Sequence, residues 1–123
     1  MEPSNHDHQH APNRFAVIPT PVRLNANSEF TGAGVVVAFL DSGFYPHPDL
    51  GSRVIAYHDI AGEQYELSTS GPVESWHWHG TQTSVAAAGN GQLSDGLYRG
   101  LAHESKLVLV KVSERHHFTR LRE

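Results

Sequence analysis

The run Val35-Val36-Val37-Ala38-Phe39-Leu40 constrains this chain more than any other feature. It is apolar throughout, rich in β-branched side chains, and bounded by Gly34 on one side and Asp41-Ser42-Gly43 on the other. A run this short has no polar face to turn toward water. It predicts a strand covered on both faces, and such strands belong to parallel sheets with helices laid over them. Lys106-Leu107-Val108-Leu109-Val110-Lys111-Val112 has the same character and predicts a second buried strand. Arg53 to Tyr57, apolar through Val54, Ile55 and Ala56, predicts a shorter strand. The polar stretch that follows it, broken by Gly and Ser to about Ser75, reads as a loop.

Thr81 to Ala88 combines small, helix-compatible residues, opens after Gly80 and is closed by Gly89-Asn90-Gly91. That pattern predicts a short, tightly packed helix. The order strand, strand, helix, strand predicts an α/β fold with a mainly parallel sheet and helices on its faces. Upstream, residues 1–14 are polar and rich in His, Asn and Pro, too poor in apolar surface to offset the entropy of ordering, and read as a flexible tail. From Phe15 to Thr31, Pro19 and Pro21 and the Asn25, Asn27 and Ser28 cluster favour an irregular approach segment rather than a helix. The expected division is therefore a tail and approach over residues 1–31 and a structured unit over residues 32–123. The segment Ser113 to Glu123 carries no clear periodicity, and no internal repeat is visible.

Composition narrows the function classes. A chain of 123 residues with 38% apolar side chains accommodates one domain. Its formal charge of -4, with 9 basic and 13 acidic residues spread along the sequence, forms no basic stripe for a phosphate backbone, so no nucleic-acid partner is expected. Cysteine is absent, which excludes disulfides and thiolate metal sites within the sequence but leaves the compartment open. The opening residues show no positively charged leader followed by an apolar run, and no stretch is long enough to cross a bilayer, so neither export signal nor membrane partner is expected.

In an open parallel sheet, catalytic groups collect at the carboxyl ends of strands, and Asp41 directly follows the strongest strand signal. A carboxylate there can hold an imidazole in one tautomer and stabilise its protonated form. His79 is the obvious imidazole: it stands at the mouth of the small-residue helix, where Gly80 permits close backbone approach. Taken alone, Asp41 reads as a turn former and His79 as a structural or exposed residue.

In combination they say more. Gly34 through Gly43, His47-Pro48-Asp49-Leu50, His79-Gly80-Thr81, and Gly100-Leu101-Ala102 before Lys106 to Val112 occur in one order. These blocks resemble the amino-terminal part of the catalytic domain of subtilisin-like serine proteases, the subtilases, from Gly32 to about Val112. The resemblance implies a subtilisin-like fold present in part, a protein or peptide substrate, Asp41 as the orienting acid of an Asp/His/Ser triad and His79 as its general base. Ser42 and Gly43 are then expected to shape the turn behind Asp41.

The family's nucleophile lies in a later Gly-Thr-Ser-x-Ala block, and nothing between Val112 and Glu123 resembles it. Thr83-Ser84-Val85-Ala86 imitates part of that block, but Ser84 lies within the same short helix as His79 and lacks the preceding Gly, so it reads as a packing residue. The resemblance leaves the oxyanion-hole Asn and the substrate-pairing strand downstream as well, and the chain alone is expected to be inactive. Gln82 stands where the family often has His or Met, and one of Ala86 to Ala88 where it often has Gly. Asp49 matches a residue that ligates calcium in some members. Calcium is left open there beside the favoured reading of a plain turn after Pro48, since a hard cation wants six or more oxygens.

The remaining histidines point to no metal. His6, His8 and His10 alternate in the polar tail and read as solvated. His77 and His79, read as strand neighbours two apart, point to opposite sides, and Trp76 and Trp78 are expected to pack around the catalytic loop or line its rim. Beside the protease reading stands a non-enzymatic one: a binding or decoy fragment that docks to a protease or to its missing carboxyl-terminal half. If Lys106 to Val112 is central in a complete sheet, it is expected to expose an apolar edge in this chain. A metal-carrying role for the His-rich tail ranks last.

Overall fold

The β-branched runs and the small-residue segment form their elements close to where the sequence puts them. A computed structural model describes residues 17–60, 67, 77–114 and 117–118, the last pair and residues 113–114 by their backbone alone. Strand β1 spans Val36–Asp41, β2 Val54–Asp59 and β3 Lys106–Lys111, and helix α2 spans His77–Ala88. One short helix precedes them, α1 at Thr20–Arg23, and single 3-10 turns stand at Gly51–Arg53 and Gln92–Ser94. A pair of two-residue strands, β4 (Ser113–Glu114) and β5 (His117–Phe118), closes antiparallel on itself. The tail at residues 1–14 and most of the loop expected before Ser75 lie outside the described residues.

The last strand enters between the first two. The sheet order is β1-β3-β2 and both pairings are parallel, which agrees with the expected α/β architecture. The register sets Val37 beside Leu107, Phe39 beside Leu109 and Asp41 beside Lys111, while Asp59 of β2 meets Lys111 from the other side. The β2 pairing slips once, between Val54 and Ala56. Beyond the strand ends the ladder continues, with Val112 N–H donating to the Asp41 carbonyl at 2.9 Å and Ile60 N–H to the Lys111 carbonyl at 3.0 Å. The carboxyl ends of all three strands are thereby fixed at one level.

One face of this sheet carries the core. Phe44, Leu50, Ala88, Leu107 and Leu109 are buried together, with Val37, Phe39, Val54, Tyr57, Val85 and Ala102 packed against them. Burying a Leu or Phe side chain contributes about 1.5–3 kcal/mol, so this cluster is a substantial source of stability among the described residues. The contact between loop and helix is equally tight. Gly100 N–H donates to the Gly89 carbonyl and Ala102 N–H to the Ala87 carbonyl, and a Cβ on Gly100 would come within 2.3 Å of the Ala87 backbone. This explains why Gly stands at position 100.

Three expectations are corrected. The strands are covered on one face: β1 alternates between exposed and half-buried residues, with Leu40 65% exposed on the outer side. Strand β3 has no open edge, because β1 and β2 flank it, and the sheet's outer edges belong to those two strands. The approach segment contains one helical turn. Pro21 lies in that first turn, where a missing N–H leaves no intrahelical bond unmade, so the two prolines are compatible with α1.

Candidate active site

Asp41 ends β1 at the carboxyl edge of the sheet, and the first turn of α2 lies close to it. The closeness of that approach depends on Gly80. A Cβ there would lie 2.2 Å from the Gly43 carbonyl oxygen, 2.8 Å from the Phe44 ring and 2.9 Å from the Asp41 Cβ. Gly43 is constrained from the other side, since a Cβ on it would fall 2.3 Å from the His77 ring. Two backbones thus touch where side chains would separate them. Thr81 adds a cross-link: its hydroxyl donates to the His77 carbonyl at 2.7 Å and accepts the Tyr45 N–H at 3.0 Å.

This contact brings together the two residues that the sequence singles out. His79 Nδ1 lies 2.8 Å from Asp41 Oδ1 and 2.9 Å from Oδ2, across 38 positions of sequence. A carboxylate accepts, so the neutral ring carries its proton on Nδ1 and keeps Nε2 as the basic nitrogen. The Asp41 side chain is 14% exposed and that of His79 54%. The acid is sheltered and the imidazole open.

Ser42 holds the carboxylate. Its N–H donates to Asp41 Oδ1 at 2.7 Å and its hydroxyl to the same oxygen at 3.1 Å. Burial works to raise the Asp41 pKa, but the Ser42 N–H, the bond from His79, the Ser42 hydroxyl and the charge of His79 together outweigh it, leaving the carboxyl below its ordinary value of 3.8. Asp41 is therefore ionised at neutral pH.

Thr83 was not singled out by the sequence except as part of a false serine block. Its hydroxyl lies 3.0 Å from the Gly80 carbonyl and 3.3 Å from Asp41 Oδ2. The available signal was spacing, since a residue four positions after His79 shares its face of a helix. Ser84 is fully buried, its hydroxyl 2.7 Å from the Gly80 carbonyl and 3.1 Å from that of Thr81, in keeping with a packing residue.

His77 and His79 stand on a helix rather than a strand, which replaces the two-sided arrangement expected of them: one ring packs on Gly43 and the other meets Asp41. Trp78 is exposed and meets the His79 ring edge-on at 5.3 Å. It also lines a groove of about 640 Å³ with Val17, Ile18, Tyr45, Val85 and Tyr98. Trp76 and the histidines of the tail lie outside the described residues.

Asp49 is buried and serves the chain's own loops. Its Oδ1 accepts the Leu93 N–H at 2.9 Å, while its carbonyl accepts the Asn90 N–H at 2.9 Å and the Arg53 guanidinium at 2.6 Å. Among the described residues no group of three or more His, Cys, Asp or Glu side chains is set to hold a metal ion.

The strand-end carboxylate, the helix-mouth imidazole and the glycine contact between them occur within one recognised sequence pattern. The Subtilase family model matches residues 32–121. The chain belongs to the subtilase family. Its residues are 43% identical over 82 positions to the serine protease AprX of Bacillus subtilis, covering 67% of this chain and 17% of that protein. They are 29% identical over 104 positions to an extracellular protease of Xanthomonas campestris, covering 67% of this chain and 18% of that one. The solved structure of the Clostridium perfringens CspB protease superposes with a TM-score of 0.57 at 23% identity, covering 81% of this chain and 25% of that chain, and shows the fold. This subtilase chain thus spans less than one fifth of the curated relatives it matches.

Proposed function

We propose that this chain carries the acid and base of a serine endopeptidase centre, acting on protein or peptide substrates, and that the nucleophile is supplied by residues outside the present sequence. The observation that supports this reading is the pair of short contacts from His79 Nδ1 to Asp41. In the proposed cycle, His79 Nε2 takes the proton of a serine hydroxyl as that oxygen attacks the scissile carbonyl, then returns it to the departing amine. Asp41 stays ionised throughout and stabilises the imidazolium. No Gly-Thr-Ser-x-Ala block occurs in the 123 residues, so the chain by itself is proposed to be inactive.

The test pairs the purified chain with a separately produced carboxyl-terminal segment of a related subtilase that bears the serine block. Casein hydrolysis and labelling by a serine-directed phosphonate are followed for each part and for the mixture, with the native chain and with His79→Ala. The expected result is silence from each part and hydrolysis from the mixture that His79→Ala abolishes. Hydrolysis by the chain alone, lost in His79→Ala, would overturn the incomplete centre. A mixture that cleaves equally well with His79→Ala would overturn the base.

A second reading, a non-catalytic fragment that docks to a protease or to its missing half, is favoured by a different observation. Val36 and Leu40 of β1 and Ile55 of β2 are exposed on the sheet. An apolar sheet surface of this kind recruits a covering partner or promotes association.

A further inference from the structure

Asp41 has donors at both oxygens, and they are unevenly shared. Oδ1 takes the Ser42 N–H, the Ser42 hydroxyl and one side of the His79 Nδ1–H contact. Oδ2 takes the other side of that contact and the Thr83 hydroxyl. Thr83 stands four residues after His79, so both side chains leave α2 on the face turned to the end of β1. Lys111 holds the neighbouring register position on β3, but its ammonium is committed to Asp59 Oδ2 at 2.7 Å.

We propose that Thr83 is a positioning residue of the Asp41–His79 pair: its hydroxyl, donated to Asp41 Oδ2, fixes the rotation of the carboxylate about its Cβ–Cγ bond and thereby keeps the His79 Nδ1 proton shared between the two oxygens. The inference rests on the proposed role of that pair. A hydroxyl has one proton, and the Gly80 carbonyl at 3.0 Å competes for it with Oδ2 at 3.3 Å. The charge on the carboxylate strengthens the longer bond, because hydrogen bonds to ionised acceptors are about twice as strong as neutral ones. Ser42 alone would draw the carboxylate by Oδ1. Thr83 supplies the opposing restraint at Oδ2, in keeping with the near-equal contacts of 2.8 and 2.9 Å to His79.

Removing the hydroxyl leaves Oδ2 with His79 as its remaining described donor. Oδ2 then becomes the stronger acceptor, and the Nδ1–H bond shifts onto it. In the complete 123-residue chain labelled with 15N-histidine and 13C-aspartate, Thr83→Val is expected to move the His79 Nδ1 proton resonance downfield at neutral pH. The Asp41 carboxyl midpoint is expected to rise by about half a pH unit, the size of a weak charge-assisted bond. Thr83→Ser keeps the hydroxyl and is expected to match the parent in both readings. A merely structural contribution from the Thr83 methyl would show the reverse, with Thr83→Ser perturbed and Thr83→Val silent.

Unchanged resonances in Thr83→Val, or equal shifts in the valine and serine variants, would overturn the proposal. If Thr83→Val does not fold, Thr83→Ala removes the same hydroxyl and is read by the same two signals. None of these readings requires peptidase activity, so failure of the complementation assay and failure of this inference are distinguishable.

Discussion

His79 reaches both oxygens of Asp41, at 2.8 and 2.9 Å, so an open imidazole is tied to a sheltered carboxylate that Ser42 already restrains. The arrangement has a thermodynamic consequence. Asp41's folded pKa lies below 3.8, so as pH falls the unfolded chain takes up its proton first. The stability contributed by the ionised carboxylate is therefore fully present above about 3.8 and is lost as pH falls through the lower folded value. Asp41→Asn is expected to be less stable than the parent near neutrality, and the two stabilities should converge in acid. Urea unfolding at a series of pH values from about 6 down to about 2 checks this, and parallel curves would refute it.

Gly80→Ala tests the backbone contact that makes the pair possible. The added methyl would meet the Gly43 carbonyl oxygen at 2.2 Å, so α2 must move off the end of β1. Overpacking of this kind destabilises by about 1–3 kcal/mol. The His79 Nδ1–H resonance is expected to lose its hydrogen-bonded position even where far-UV dichroism shows the helix intact. A folded variant with an unchanged resonance would mean that the helix mouth yields without disturbing the pair.

How much of this was legible in the sequence depended on how local each signal was. The segment Val35 to Leu40 announced β1 because β-branched residues between turn formers are a local signal, and Asp41 followed from its place at the strand end. The sequence pattern starts α2 four residues late, since Gly80 reads as an opening signal when it is a contact surface inside the first turn. Which face of the sheet is covered was not legible, because a continuous apolar run reads the same whether one or both faces are buried. The Thr83 contact lay hidden for a related reason: its meaning depends on where β1 ends in space, and only the spacing from His79 hinted at it.

Lys111→Met should be among the most damaging single changes outside the pair. Lys111 donates to Asp59 at 2.7 Å, and the side chains are 11% and 4% exposed. The lysine also stands between Asp41 and Asp59 in register, so it neutralises a row that would otherwise carry charges of one sign. Removing one partner of a buried ion pair costs about 3–5 kcal/mol, a large fraction of what so small a core supplies. Thermal unfolding of Lys111→Met is expected to begin well below that of the parent. A midpoint within about 2 °C would show that Asp59 is satisfied without the lysine.

The outward face of the sheet makes the last prediction. Leu40 is 65% exposed and Val36 55%, while Val108 and Val110 on the central strand are only half-buried. Apolar surface on a sheet whose outer positions belong to β1 and β2 favours association between chains, and lysine is the residue that proteins commonly place to oppose it. The parent chain is therefore expected to elute at a size that grows with concentration. Leu40→Lys with Val36→Lys is expected to elute as a monomer at every concentration, with unchanged far-UV dichroism, because neither side chain belongs to the buried cluster. Sedimentation velocity decides the matter. A parent that stays monomeric would show that the face needs no cover, and a double variant that still associates would place the contact on another surface, with the Trp78 groove the first to examine.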